Sequence, residues 1–140
     1  MDINTKQNEI IEEFSVFDDW MDKYNYLIEL SRELPQIDPK FKTNQNLIEG
    51  CQSKVWLNAE MNGELIQFSA DSDAIITKGI IALLIRVLNN QKPEDVMFAD
   101  LFFIDKIGLQ QNLSPTRSNG LLAMIKQMKL YAMAYHAKNK

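Results

Sequence analysis

VWLNAEMNGELIQFSA, residues Val55 to Ala70, is where the hydrophobic period of this chain switches from helical spacing to strict alternation. Val55, Leu57, Ala59 and Met61 alternate with Trp56, Asn58 and Glu60, which places the two sets on opposite faces of a strand. Asn62-Gly63 follows. Asn-Gly between two alternating runs is the strongest short-range hairpin signal, because both residues tolerate positive φ. A return strand is expected from Glu64 to about Ala70. The other segments with a clear period are helical, so the hairpin decides the class. The chain is expected to be α+β: one compact domain over residues 1–140, a short antiparallel sheet packed against several helices, and a long C-terminal helix.

Upstream of the hairpin, Ile3, Ile10, Ile11 and Phe14 lie close to one stripe of a first helix, expected to be frayed. A second helix starts near Asp18, with Asp19 and Asp22 at its positive end. Its core-facing stripe is Trp20, Tyr24, Leu27, Ile28 and Leu34. Pro35 and Pro39 prevent continuation and leave an irregular stretch to about Asn46. Downstream, Asp71-Ser72-Asp73 offers capping oxygens to a third helix, from about Ala74 to Leu88. Ile76, Ile80, Leu83, Leu84 and Val87 form its apolar face. Gly79 in its middle costs about 1 kcal/mol relative to alanine, which predicts a close backbone contact there. Pro93, with Glu94 and Asp95, opens a short helix. The stretch from Phe98 to Leu109 has no clear period. Ser114-Pro115 opens the longest helix, in which Leu121, Ile125, Met128, Ala132 and Tyr135 repeat on one face.

A hydrophobic content of 46% and a charged content of 24% are ordinary for a globular protein. The net charge of −4 argues against nucleic acid, which needs a clustered basic surface. The densest basic group, Lys126, Lys129, Lys138 and Lys140, closes a helix and is accounted for by the helix dipole. The polar, acidic start MDINTKQNEIIEEF does not resemble a targeting signal, and the longest apolar run, Ile80 to Ile85, is too short to span a membrane. A single cysteine allows no intramolecular disulfide and no cysteine cluster for zinc. A reducing, cytoplasmic setting is expected.

That cysteine, Cys51, sits in LIEGCQS, just before the first strand and off any periodic apolar face. A lone cysteine is most often a small buried hydrophobe. A loop cysteine between Gly50 and the polar pair Gln52-Ser53 is better placed to react, since loop N–H groups can stabilise an anion. An unperturbed thiol, of pKa about 8.5, is only slightly ionised at neutral pH, so local anion stabilisation is expected if Cys51 is a nucleophile. A cysteine hydrolase would need a base, and the single histidine, His136, falls in the last turn of the terminal helix. Asp71 and Asp73 are expected to cap a helix rather than bind metal. Arg117, in SPTRSNG, opposes the dipole at a helix start, and a broken local rule often marks a site. Asn119-Gly120 interrupts the same helix start and suggests tight packing against another segment. Met124, Met128 and Met133 are expected to fill the core.

Three blocks, GCQSKVWL (Gly50 to Leu57), DSDAIITKGIIALL (Asp71 to Leu84) and LSPTRSNGLLAMI (Leu113 to Ile125), closely resemble the SufE family of sulfur acceptors. The stretch LIELSRELP, Leu27 to Pro35, fits in order. Ala70 stands where relatives often carry glycine, and Thr116 replaces a frequent serine. The resemblance implies a covalent sulfur relay, not an independent enzyme. A cysteine desulfurase (SufS-like), which carries the pyridoxal phosphate (PLP), strips sulfur from L-cysteine and holds it as a persulfide. Cys51 takes that sulfur, thereby activating the desulfurase, and passes it to an iron–sulfur cluster scaffold (SufBCD-like). The resemblance implies no cofactor and no metal on this chain, and a monomer or weak homodimer. It places Cys51 at the tip of a loop that tucks against an apolar cavity, with Gly50 as hinge. Arg117 would contact the partner or steady the sulfur anion. Gln52 and Ser53 would shape the loop through hydrogen bonds, and Asp73 and Asn119 are further site candidates. A carrier serving another sulfur pathway and a non-covalent desulfurase adaptor share these features.

Overall fold

The computed structural model describes residues 2–138, and Lys140 of the basic group lies outside them. Two strands, β1 (Val55–Asn62) and β2 (Leu65–Ser72), form the antiparallel hairpin expected from the alternation. Val55 faces Ser72, Leu57 faces Ala70 and Ala59 faces Phe68, so the small and large apolar residues share one buried face. Asn62 pairs with Leu65, which makes Gly63-Glu64 the two-residue turn. Of these only Gly63 has positive φ, at 64°. The turn is therefore displaced by one residue from the Asn62-Gly63 expected, and its pattern is that of type II′ rather than I′.

A two-stranded sheet has two open edges, and both are covered. Leu47 pairs with Trp56 on the β1 side, while Gln36 and Gln91 bridge to Ala70 and Ile66 on the β2 side. Among the described residues, seven α-helices surround the hairpin: α1 (Ile3–Phe14), α2 (Trp20–Leu30), α3 (Ile75–Leu88), α4 (Pro93–Met97), α5 (Phe103–Lys106), α6 (Leu109–Asn112) and α7 (Pro115–Lys138). Short 3-10 turns occupy the stretch between Pro35 and Asn46 that the prolines keep irregular. Gly108, at φ 76°, separates α5 from α6, which explains why the sequence there shows no single period.

Helix α3 is the centre of the core. Its buried residues include Ile76, Ile80, Ile81, Leu84, Ile85 and Leu88, which point in several directions around the helix, as expected of one enclosed by neighbours. Gly79 lets α2 approach: a Cβ there would lie 2.3 Å from the Leu27 carbonyl oxygen, so the predicted close contact is present. Helix α1 is held in place where fraying was expected. Asp2 caps it by accepting from Thr5 N at 2.7 Å, and Ile10 and Phe14 are buried. The buried Gln7 amide donates to Asp100 O and accepts from Phe103 N, tying α1 to the chain before α5. Helix α7 lies on β1, and its Tyr131 and Tyr135 hydroxyls donate to the Leu57 and Ala59 carbonyls at 3.1 and 2.7 Å. Leu121, Met124, Met128 and Ala132 face the core; Met133, expected inside, points outward.

One expectation fails at the β2–α3 junction. β2 runs on through Asp71 and Ser72, and the N-cap of α3 is Ala74, which has no side chain to cap with. Asp71 instead holds Lys42 at 2.9 Å and Lys78 at 3.1 Å. Burial alone would raise the Asp71 carboxyl, but hydrogen bonds from Lys42, Ser72 N–H and Lys78 outweigh it and hold it below the usual range. Among the described residues no helix is long and apolar enough to cross a membrane.

Candidate functional site

The chain from Leu47 to Trp56 makes a loop closed at its base. Ile48 N donates to Val55 O at 2.9 Å, just inside the Leu47–Trp56 bridge, and leaves residues 49–54 projecting. Lys54 fastens the loop's second leg to the end of the hairpin. Its N–H donates to Asp73 Oδ1 at 3.0 Å, and its carbonyl accepts from Ser72 Oγ at 2.8 Å and from Asp73 N at 3.2 Å. Cys51 is near the tip. Gly50 before it has φ 92°, a backbone state that side chains disfavour, and its α-carbon faces Ala123 of α7.

The tip lies against the first turns of α7. The Cys51 thiol donates to the Gly120 carbonyl across 3.7 Å, and the residue is partly buried. A cavity of about 90 Å³ opens beside it, lined by Gln52, Ser53, Thr77, Ile80, Thr116, Arg117, Gly120 and Met124. Its inner wall is closed, since Ile80 and Met124 are each 2% exposed and Thr77 is 7% exposed. Burial pushes the Cys51 thiol up, and no neighbouring charge pulls it back. The expectation of an anion cradled by loop N–H groups is therefore not met at rest. The sulfur's partner is an acceptor, which suits a protonated thiol and repels a thiolate.

Of the residues the sequence pointed to, the fold brings Gln52, Ser53 and Arg117 to the cavity of Cys51, with Gly50 behind it. Arg117 is exposed at the rim. The hydrogen bonds that fix the loop belong to Lys54 and its base, not to the side chains of Gln52 and Ser53. Asp73 is exposed and lies outside the cavity, acting as the anchor for Lys54; it faces a separate cleft of about 530 Å³ with Lys42 and Lys78. Asn119 points away from the cavity. His136 is elsewhere altogether, lining a cleft with Gly63, Glu64 and Lys92 at the hairpin turn, so it supplies no base to Cys51.

Sequence reasoning missed Thr77, Ile80, Thr116 and Met124 as parts of the site and saw Gly120 only as a packing residue. Spacing shows that Thr116, Gly120 and Met124 share one helix face, as do Thr77 and Ile80, but not that these faces meet Cys51.

The family model described as SufE, an Fe–S metabolism associated domain, matches residues 8–132. An uncharacterized SufE-like protein of Rhizobium etli is 38% identical over 127 residues, covering 87% of this chain and 86% of that protein. A second, from Rhizobium meliloti, is 35% identical over 130 residues, covering 89% and 93%. Among solved structures, the solution structure of a hypothetical protein from Thermus thermophilus superposes with a TM-score of 0.76 at 21% identity, covering 92% of this chain and 94% of that one. At that identity the match speaks for the fold alone.

Proposed function

This chain belongs to the SufE family, and from that premise we propose that Cys51 takes a sulfur atom from the persulfide of a cysteine desulfurase and passes it on for iron–sulfur cluster assembly. The observation that carries this reading is a thiol at the tip of a tethered loop, beside a cavity with room to spare. About 90 Å³ is ample for one further sulfur, since a water molecule takes a share of about 30 Å³ in the liquid.

The transfer is a thiol–persulfide exchange. The Cys51 thiolate attacks the outer sulfur of the desulfurase persulfide, and a new S–S bond forms on Cys51 as the old one breaks. The desulfurase sulfur leaves with the bonding pair and takes up the proton that Cys51 gave up. One sulfur has moved, and no oxidant or reductant is consumed. Freed of its persulfide, the desulfurase can turn over again, so the acceptor acts as an activator.

The raised thiol pKa fits a relay that works only with its partner. Held against the Gly120 carbonyl, Cys51 is mostly protonated and a poor nucleophile. On the partner, the loop swings away from α7 about Gly50 while its base and the Lys54–Asp73 bonds stay in place. Arg117 lines the rim of the same cavity, which supports a role in meeting the incoming persulfide. Among the described residues no general base lines the cavity of the thiol, so an independent hydrolase has no geometric support.

Incubation with a cysteine desulfurase and L-cysteine should add the mass of one sulfur to the intact protein, localised to Cys51, and should accelerate the desulfurase. Cys51→Ser should abolish both effects. Undiminished acceleration by the serine variant would leave a non-covalent adaptor in place of a sulfur carrier.

A further inference from the structure

Gly120 is a glycine that the resting fold does not require. It lies inside α7 without positive φ, in a setting where glycine is less favourable than alanine because it loses more backbone freedom on folding. Nothing obstructs a methyl group there. The nearest atom to a Cβ would be Cys51 Sγ at 3.5 Å, an ordinary contact, with Cys51 Cα and Cβ at 4.0 Å. Gly79 is the contrast, because the carbonyl oxygen 2.3 Å from its Cβ position makes glycine obligatory. The space over Gly120 is thus open at rest, although filling it would favour the helix.

What changes size at this point in the proposed reaction is Cys51 itself, whose sulfur gains a second sulfur about 2.0 Å away. A terminal sulfur on the α7 side of Sγ would collide with an alanine methyl 3.5 Å from Sγ, and it fits over a glycine. Thr77 and Ile80 from α3 and Met124 from α7 enclose the same space. We infer that Gly120 is a positioning residue for the carried sulfur: its missing side chain reserves the seat of the terminal sulfur of the Cys51 persulfide, between α3 and the first turns of α7. This rests on the reading of Cys51 as a persulfide carrier. Glycine here trades helix stability for a loaded state that can close. Alanine would let the unloaded loop close and would hold the loaded loop open to passing thiols.

The test compares wild type with Gly120→Ala. Both are loaded with sodium polysulfide, in which Cys51–SH and HSₙ⁻ give Cys51–SSH and HSₙ₋₁⁻. Each is then exposed to excess glutathione, and the form carrying one added sulfur is followed by intact mass. Glutathione removes it by the net reaction Cys51–SSH + 2 RSH giving Cys51–SH, RSSR and H₂S. The alanine variant should melt a few degrees higher, and its unloaded thiol should alkylate with iodoacetamide at the wild-type rate. Its persulfide should be lost about five- to tenfold faster, since exchange rates follow access to the sulfur. Equal persulfide lifetimes would overturn the inference and leave the carrier reading intact. So would a lower melting temperature, or faster alkylation of the unloaded variant. A wild type that takes up no sulfur at Cys51 would remove the carrier reading itself.

Discussion

At Cys51 the thiol proton is directed at a carbonyl, and burial holds it there. Its alkylation rate should therefore keep climbing with pH beyond the range of an ordinary exposed thiol, because the thiolate fraction lags that of a free cysteine. Measured against iodoacetamide, a midpoint at or below that of free cysteine would show that the resting thiol is activated after all. Arg117 gives a complementary prediction. No charge contributes to the shift at Cys51, so Arg117→Ala should leave the pH profile of alkylation unmoved. Sulfur transfer from the desulfurase should fall by about tenfold if the guanidinium holds the incoming anion. A shifted alkylation profile in the variant would instead make Arg117 part of the resting thiol's environment. Charge at a helix start marked Arg117 in the sequence, whereas Ile80 and Met124 were indistinguishable from core residues. Periodicity tells which residues share a face; it does not tell which face a loop 69 positions away in the chain will meet.

Among the elements, the α2–α3 contact rests on a single glycine, Gly79. Gly79→Ala would drive a methyl to 2.3 Å from the Leu27 carbonyl oxygen, a backbone atom that cannot step aside alone. A loss of about 2–4 kcal/mol is expected, read as a lower urea midpoint. A neutral result would mean that the two helices slide apart easily. Gly79 was legible because glycine inside a strongly apolar helix contradicts local propensity. The hairpin was legible because alternation has only one structural meaning over so many residues. The helix start near Ala74 was legible too, but its missing side-chain cap was not. Asp71 and Ser72 satisfy both a cap and a strand extension, and the choice was made by partners distant in sequence: Val55 and Trp56 for the strand, Lys42 for the carboxylate. The one-residue displacement of the turn has the same origin, since register answers to the buried face of the whole hairpin.

Across the molecule, a polar cluster joins both N-terminal helices to α3. Arg86 of α3 meets the Glu13 carboxylate of α1 with both terminal guanidinium nitrogens, Nη1 at 2.9 Å, and Tyr26 of α2 donates to the same carboxylate at 2.5 Å. Burial first, and then the hydrogen bond to Glu13, raise the Tyr26 phenol from 10.0 to about 12. The folded state thus binds this proton more firmly than the unfolded chain does. The stability gained is fully present below pH 10.0 and is lost as pH rises toward about 12. The margin of wild type over Tyr26→Phe in urea melts should shrink across that window. A margin that is constant with pH would show that the phenol proton plays no part.

The loop that bears Cys51 runs directly into β1, and Tyr131 and Tyr135 bolt α7 to carbonyls further along the same strand. The sulfur and the helix that receives it consequently share one mount. On the proposed reading, release turns at the loop itself, between a base on β1 and a helix bonded to that same strand.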